Sequence, residues 1–264
     1  MQTIICDTNI WYDIANNRIN PKLLFDVQLI GTSVNITEIS SSLNLINKFD
    51  LVARTVKAMY KYNSRVIISN PMEYLISLFY IDYEPNVITE QRLLEHFNTL
   101  MDIDFDEIPQ TNINETKIQI EQIIHSGDSI ADKINTDLVN IRQEIKQQIG
   151  KEKYRRKDFT KKWKKYFSKL VLEYSKQHCE KEYELDLNNT AWKYLEFFLI
   201  TWESYFKNNL EIGNWKFDRN DWGDLFNLIY VIQGRKYWTL EQKWNRIFES
   251  NEKLKKYKFS TKTI

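Results

Sequence analysis

The sequence predicts an α/β fold, with a central, mostly parallel sheet and a large all-helical insertion. Three observations point there. Short apolar runs rich in β-branched residues alternate with helical patterns near both ends of the 264-residue chain. Between them, from about Pro85 to Leu210, strand signals vanish and isoleucines recur at helical spacing. Only 6 Gly and 4 Pro are present, so long structureless linkers are not expected.

Each element has its own reason. Thr3 to Cys6 is apolar and β-branched, as a buried strand requires. Asn9 to Asn16 reads as a first helix, ended near Asn20-Pro21 because proline cannot continue one. Gln28 to Val34 reads as a second strand. Thr37 is the expected N-cap of a long helix running through Ser41, Leu45, Phe49 and Val52 to Tyr60. Arg65 to Ser69 is a third strand, and Pro71 suits the first position of the next helix. Ile113, Ile120, Ile124, Ile134, Leu138, Ile141 and Ile145 then mark helices broken at Ser126-Gly127-Asp128, with a second break near Gly150. Near the end, Asp224 to Ile232 is a helix with Gly234 beyond it as terminator. Lys236 to Thr239 is an aromatic strand, and Leu240 to Ser250 a last helix. Lys253 to Ile264 is expected to fray. The expected organisation is a core of residues 1–84 and 211–264, with 85–210 inserted.

The bulk composition narrows the function classes. A hydrophobic content of 42% supports a sizeable core. A net charge of +1 excludes a chain that is basic or acidic throughout. Cys6 and Cys179 are too few and too far apart for a disulfide framework. Met1 to Asp7 has neither the basic region nor the apolar length of a signal peptide. The apolar stretch Leu195 to Trp202 contains Glu196 and is too short to span a bilayer. A cytoplasmic protein that acts on soluble material is expected.

Acids at strand-to-helix junctions carry the functional expectation. Open parallel sheets bind ligands outside the carboxyl ends of their strands. Asp7 follows the first strand, Glu38 the second, and Glu241 the last. Asp224 heads a helix, with Asp221 one turn before it. Singly, each has a plainer explanation, because acids at helix N-termini complement the helix dipole. As a set they suggest chemistry.

Those segments resemble a known family. Ile4-Ile5-Cys6-Asp7-Thr8-Asn9 resembles the opening motif of PIN domains, and Ile36-Thr37-Glu38-Ile39 the second, a Thr-Glu pair. Asp221-Trp222-Gly223-Asp224-Leu225-Phe226 is similar to the third, an Asp heading an apolar helix. Tyr237-Trp238-Thr239-Leu240-Glu241 is similar to the fourth. The likeness covers roughly the first 80 residues and the last 45. It departs in having Glu241 where many members have Asp, and in the long gap between Glu38 and Asp221. Spacing to Thr239 favours Asp224 as the third-motif acid and leaves Asp221 as an extra ligand or a cap. Asp7-Thr8-Asn9 also resembles haloacid-dehalogenase-type phosphohydrolases, but those have a second Asp where Asn9 stands.

The resemblance implies a three-layer PIN-like fold and a metal-dependent endoribonuclease, of the kind that serves as a toxin or defence effector. Its products would carry 5′-phosphate and 3′-hydroxyl ends. Asp7, Glu38, Asp221, Asp224 and Glu241 would be the catalytic and metal-binding acids. Asn9 and Thr239 would hold Asp7 or a phosphate. Such nucleases are often dimeric or inhibited by a protein partner. An all-oxygen donor set selects Mg²⁺ or Mn²⁺. His96, His125 and His178 lack zinc-ligand spacing and read as surface or core residues.

RNA is the expected partner. Lys151 to Lys169 interleaves basic residues with Tyr154, Phe159, Trp163, Tyr166 and Phe167. Arg155, Arg156, Lys161, Lys162, Lys164 and Lys165 could neutralise phosphates while aromatic faces stack on bases. A helix with a packed aromatic face and a solvated basic face explains the same pattern. Lys253, Lys255, Lys256 and Lys258 read more simply as a solvated tail. Trp222 and Trp238 read as core residues that flank the motifs. Two other functions fit the sequence: a non-catalytic RNA-binding or protein-interaction module, and a phosphohydrolase acting on small esters.

Overall fold

A computed structural model describes residues 1–85, 87–101, 108–149, 156–211, 217 and 219–260. Contacts divide the chain into two compact units. One holds Met1–Pro71, Glu84–Ser126 and Gly234–Ile264, and the other Met72–Tyr83 and Gly127–Gln233.

The first unit is α/β. Its strands are β1 (Gln2–Cys6), β2 (Val27–Thr32), β3 (Asn63–Ile67) and β4 (Arg235–Trp238). They form an all-parallel sheet in the order β3-β2-β1-β4. Ile4, Ile5 and Cys6 are fully buried. A continuous apolar run of this kind belongs to a strand covered on both faces. Register places Ile4 opposite Leu29 on one side and Lys236 on the other. Helices α1 (Thr8–Ala15) and α4 (Phe49–Tyr62) pack together. Ile10, Trp11 and Ile14 share their core with Val52, Val56 and Met59.

Several boundaries differ from the sequence expectation, each for a local reason. The second strand stops at Thr32, because Thr32 and Asn35 form a capping box that opens α2 (Ser33–Ser40). Ser33 and Val34 are therefore helical, and Thr37 lies inside the helix rather than capping it. The single helix expected through Tyr60 is three: α2, α3 (Asn44–Asn47) and α4. The last described residues do not fray. After α11 (Gln242–Glu249) and α12 (Glu252–Lys255), the chain pairs with the outer edge of β4. The Tyr237 amide donates to the Tyr257 carbonyl at 2.7 Å, and the Phe259 amide to the Tyr237 carbonyl at 2.9 Å. Leu254, Tyr257 and Phe259 are buried there, and that burial holds the segment. Gly234 is not a helix terminator. It sits in the turn entering β4 with φ of 91°, which suits a residue lacking Cβ.

The second unit is helical in its described residues. It contains α5 (Pro71–Phe79, starting at the boundary), the later part of α7 (Gln110–Ile149), α8 (Arg156–His178), α9 (Glu196–Glu211) and α10 (Arg219–Asn227). A further helix, α6 (Val87–Thr99), belongs to the first unit. Helix α7 runs through Ser126-Gly127-Asp128 without the expected break, since one glycine costs only ~1 kcal/mol in a helix. Helix α10 starts at Arg219, so Asp221 lies in its first turn and Asp224 does not head it. The expected helix to Ile232 instead ends at Asn227 and tightens into a 3-10 turn.

Aromatic packing fills this unit. Trp202 stacks on Phe206 at 5.1 Å, and Trp163 lies 4.8 Å from Phe206. Trp222 approaches Phe226 at 4.2 Å. The segment after α8 folds back along it, hung on two serines. Ser175 Oγ accepts from the Tyr183 amide at 2.9 Å, and Ser168 Oγ from the Leu185 amide at 3.1 Å. Both cysteines are free thiols. No helix among the described residues is long and apolar enough to cross a membrane.

Candidate active site

Asp7 follows β1 and takes the N-cap position of α1 with extended backbone, φ −68° and ψ 152°. Its amide donates to the Trp238 carbonyl at 2.9 Å, continuing the β1/β4 ladder one residue beyond the strand. β1 is flanked by β2, the next strand in sequence, and by β4, the last. The chain leaves β1 towards β2, so the β1/β4 seam is where connections part. Such switch points are where open parallel sheets bind ligands.

Thr239 and Glu241 reach the same seam from β4. Thr239 Oγ1 donates to Asp7 Oδ2 at 2.6 Å and accepts from the Glu241 amide at 3.1 Å. Asn245 Nδ2, one turn into α11, donates to the carbonyls of Thr239 at 3.2 Å and Glu241 at 3.0 Å. It thereby fixes the turn that carries both. Asn9 Nδ2 donates to Glu241 Oε1 at 3.0 Å, and Lys243 Nζ stands 3.9 Å from Glu241 Oε2. Glu241 is the N-cap residue of α11, one position before the first turn expected for it.

Glu38 arrives from α2, in its second turn rather than the first, because the helix starts at Ser33. The Thr8 hydroxyl donates to Glu38 Oε2 and accepts from Asn35 Nδ2 at 3.0 Å. Asn35 Oδ1 in turn accepts from the Thr32 amide at 3.0 Å. A chain of hydrogen bonds thus runs from the cap of α2 to the Glu38 carboxylate.

The electrostatics follow from burial. Asp7 is raised to about 6, chiefly because burial penalises its charge. The Thr239 hydroxyl and the nearby amides of Thr8 and Asn9 oppose that rise, and the Glu241 charge adds to it. Glu38 is raised to about 7, again mainly by burial. The Thr8 hydroxyl lowers it, while Asp7 and Glu241 raise it further. The three carboxylates therefore share one electrostatic neighbourhood, and no cation counters Asp7 or Glu38 among the described residues. Each is bonded by a neutral donor: Thr239 for Asp7, Thr8 for Glu38, and Asn9 for Glu241. Among the described residues, no three His, Cys, Asp or Glu side chains form a group that could hold a metal ion as they stand.

The sheet unit therefore brings together Asp7, Glu38, Glu241, Asn9 and Thr239. Asp221 and Asp224 are buried on α10 and belong to the helical unit. Trp222 packs on Phe217 and Phe226, and Trp238 on Phe259, as core residues do. His125 and His178 are exposed, and the His96 side chain lies outside the described residues.

In the basic stretch, Arg155 and the Arg156 side chain also lie outside the described residues. Lys161, Lys162 and Lys165 are exposed on α8. Lys164 is not: it lies 5.3 Å from the Trp192 ring centroid and donates to the Leu187 carbonyl at 3.3 Å. Phe167 is buried and Tyr166 is 37% exposed.

Sequence reasoning gave no role to Thr8, Asn35 or Asn245. A signal for Asn35 existed: Thr32-Ser33-Val34-Asn35 has capping-box spacing, with Asn in place of the usual Glu or Gln. No protein-family model, curated protein or solved structure matches this chain.

Proposed function

We propose that this chain is a metal-dependent ribonuclease of the PIN-like, three-layer type. One observation carries the reading. Three carboxylates, Asp7 after β1, Glu38 on the helix after β2 and Glu241 after β4, act on one another at the carboxyl end of an all-parallel sheet. Asp7 and Glu38 meet no cation among the described residues, which disfavours their charges, and a divalent ion would relieve it.

The donor set fits such an ion in its chemistry. Carboxylate, hydroxyl and amide oxygens suit hard Mg²⁺ or Mn²⁺. Mg²⁺ usually keeps several waters and uses only one or two carboxylates. A protein site without three acids already grouped is therefore compatible with it. Asp7 would hold the ion directly, with Glu38 and Glu241 as direct or water-mediated ligands. A bound ion would supply Lewis acidity and charge neutralisation for phosphodiester hydrolysis.

The chain's own residues divide the remaining work. Thr239 fixes Asp7, and Asn9 fixes Glu241. Glu38 has an affinity for protons near neutrality, which suits a group that takes a proton from the attacking water. The exposed lysines Lys161, Lys162 and Lys165 favour a polyanionic partner, and RNA fits both features.

The test is incubation of the full chain with total RNA and Mn²⁺ or Mg²⁺. Asp7→Asn, Glu38→Gln and an EDTA control run beside it. Cleavage lost in all three is expected, and cleavage that persists in both variants overturns the reading. The same assay on Asp221→Asn and Asp224→Asn decides whether either acid takes part. A second reading, a binding module that keeps the fold without catalysis, is favoured by Glu241, which stands where many PIN domains have Asp. It requires RNA binding that survives EDTA and no cleavage by the wild type.

A further inference from the structure

We infer that Asn35 is a positioning residue that sets the direction of the hydrogen bond from Thr8, so that the Thr8 hydroxyl always donates to Glu38. This rests on the proposed role of Glu38. Asn35 is fully buried at 0% exposure, and its amide group has two unlike ends. The Thr32 amide can only donate, so the end of Asn35 facing it, 3.0 Å away, must be the oxygen. The Thr32 hydroxyl bonds the same oxygen at 3.2 Å. The nitrogen end is then committed to Thr8 Oγ1, 3.0 Å away.

A hydroxyl that accepts from one side gives its single proton to the other. The Thr8 proton therefore goes to Glu38 Oε2. That oxygen is held as an acceptor, and Oε1 is the oxygen left to act on water or a cation. A backbone amide thus fixes the order of the whole chain, Thr32 to Asn35 to Thr8 to Glu38.

Two measurements on the full chain test the assignment. The first needs no metal: proton NMR of the Thr8 hydroxyl, identified by its loss in Thr8→Val. A slowly exchanging signal is expected in the wild type. It is expected to shift or vanish in Asn35→Ala and in Asn35→Asp. Asn35→Asp keeps the acceptor for Thr32, and so the helix cap, if Asn35→Ala fails to fold.

The second is a double-mutant cycle on Mn²⁺ affinity. Thr8→Val and Asn35→Asp are each expected to weaken binding on the order of 10- to 100-fold. The double variant should be no weaker than the worse single one, and Thr8→Ser should retain wild-type affinity. Multiplying losses would mean that Asn35 acts only through the helix and would overturn the assignment. An unchanged Thr8 signal in the Asn35 variants would overturn it too. If the wild type binds no Mn²⁺, the metal reading fails separately, and the Thr8 signal decides this inference alone.

Discussion

The two units make opposite use of buried polarity. In the sheet unit, Asp7 is buried at the seam of β1 and β4 and Glu38 lies half-buried nearby, both held by neutral side chains and both with their charges penalised. In the helical unit, the interior is aromatic, with Trp163, Phe167, Phe198, Trp202 and Phe206 packed ring to ring. The first arrangement costs stability, because burial penalises the charges of Asp7 and Glu38. The second adds to it, through buried apolar rings. The difference teaches where function should be sought in a chain of this kind: at the place where burial works against the residue buried.

Mutation can break that contrast. The largest effect is expected for Asp7→Asn. Mn²⁺-dependent RNA cleavage should fall on the order of a thousandfold or more, as when a member of one catalytic unit is removed. At pH 8 in EDTA the same variant should unfold at equal or higher denaturant concentration, because a penalised buried charge is gone. Lower stability together with full activity would erase the distinction between the units. Trp202→Ala should do the reverse. It removes a fully buried ring from the aromatic cluster and should cost about 3–5 kcal/mol in chemical denaturation.

A pH series sharpens the comparison. Asp7 rises from 3.8 to about 6 on folding, and Glu38 from 4.5 to about 7. Between those values the folded chain keeps protons that the unfolded chain has released. Raising the pH therefore favours unfolding. As far as these two groups decide it, metal-free protein should be most stable below about pH 4, lose stability up to about pH 7, and level off above. Denaturation in EDTA across that range measures the slope. Asp7→Asn and Glu38→Gln should each flatten it, and a slope unchanged in both would refute the electrostatic account. The smallest effect is expected at Gly234→Ala. The position has open space around it, so only its backbone conformation, φ 91°, resists a side chain. The cost should be about 1–2 kcal/mol in a melting experiment, with cleavage intact.

Legibility in the sequence also divides along the contrast. The α/β class and the four strands could be read, because buried parallel strands leave apolar runs in the chain, such as Ile4-Ile5-Cys6. Asp7, Glu38 and Glu241 could be read as acids following strands. What could not be read was the polarity around them. Thr8 reaches Glu38 across 30 residues and Asn35 reaches Thr8 across 27, and such bonds leave no periodic trace. Helix starts were misplaced where a less usual cap decided them, as at Thr32 and Asn35. Helix α7 passed through Gly127 because its many other residues outweigh one glycine. Residues 253–260 of the closing segment are held by buried Leu254, Tyr257 and Phe259, a signal that its lysines mask in the composition, and residues 261–264 lie outside the described residues.

That closing segment has a consequence for self-association. A bare strand edge is a template for another chain. Here the outer edge of β4 is occupied by the protein's own residues 257–259, through hydrogen bonds to Tyr237 on both sides. Removing everything after Asn251 would strip that guard from the strand leading directly to Thr239. The shortened chain would then present a sticky edge beside its acids, and clumping through strand pairing would compete with any substrate for access to them.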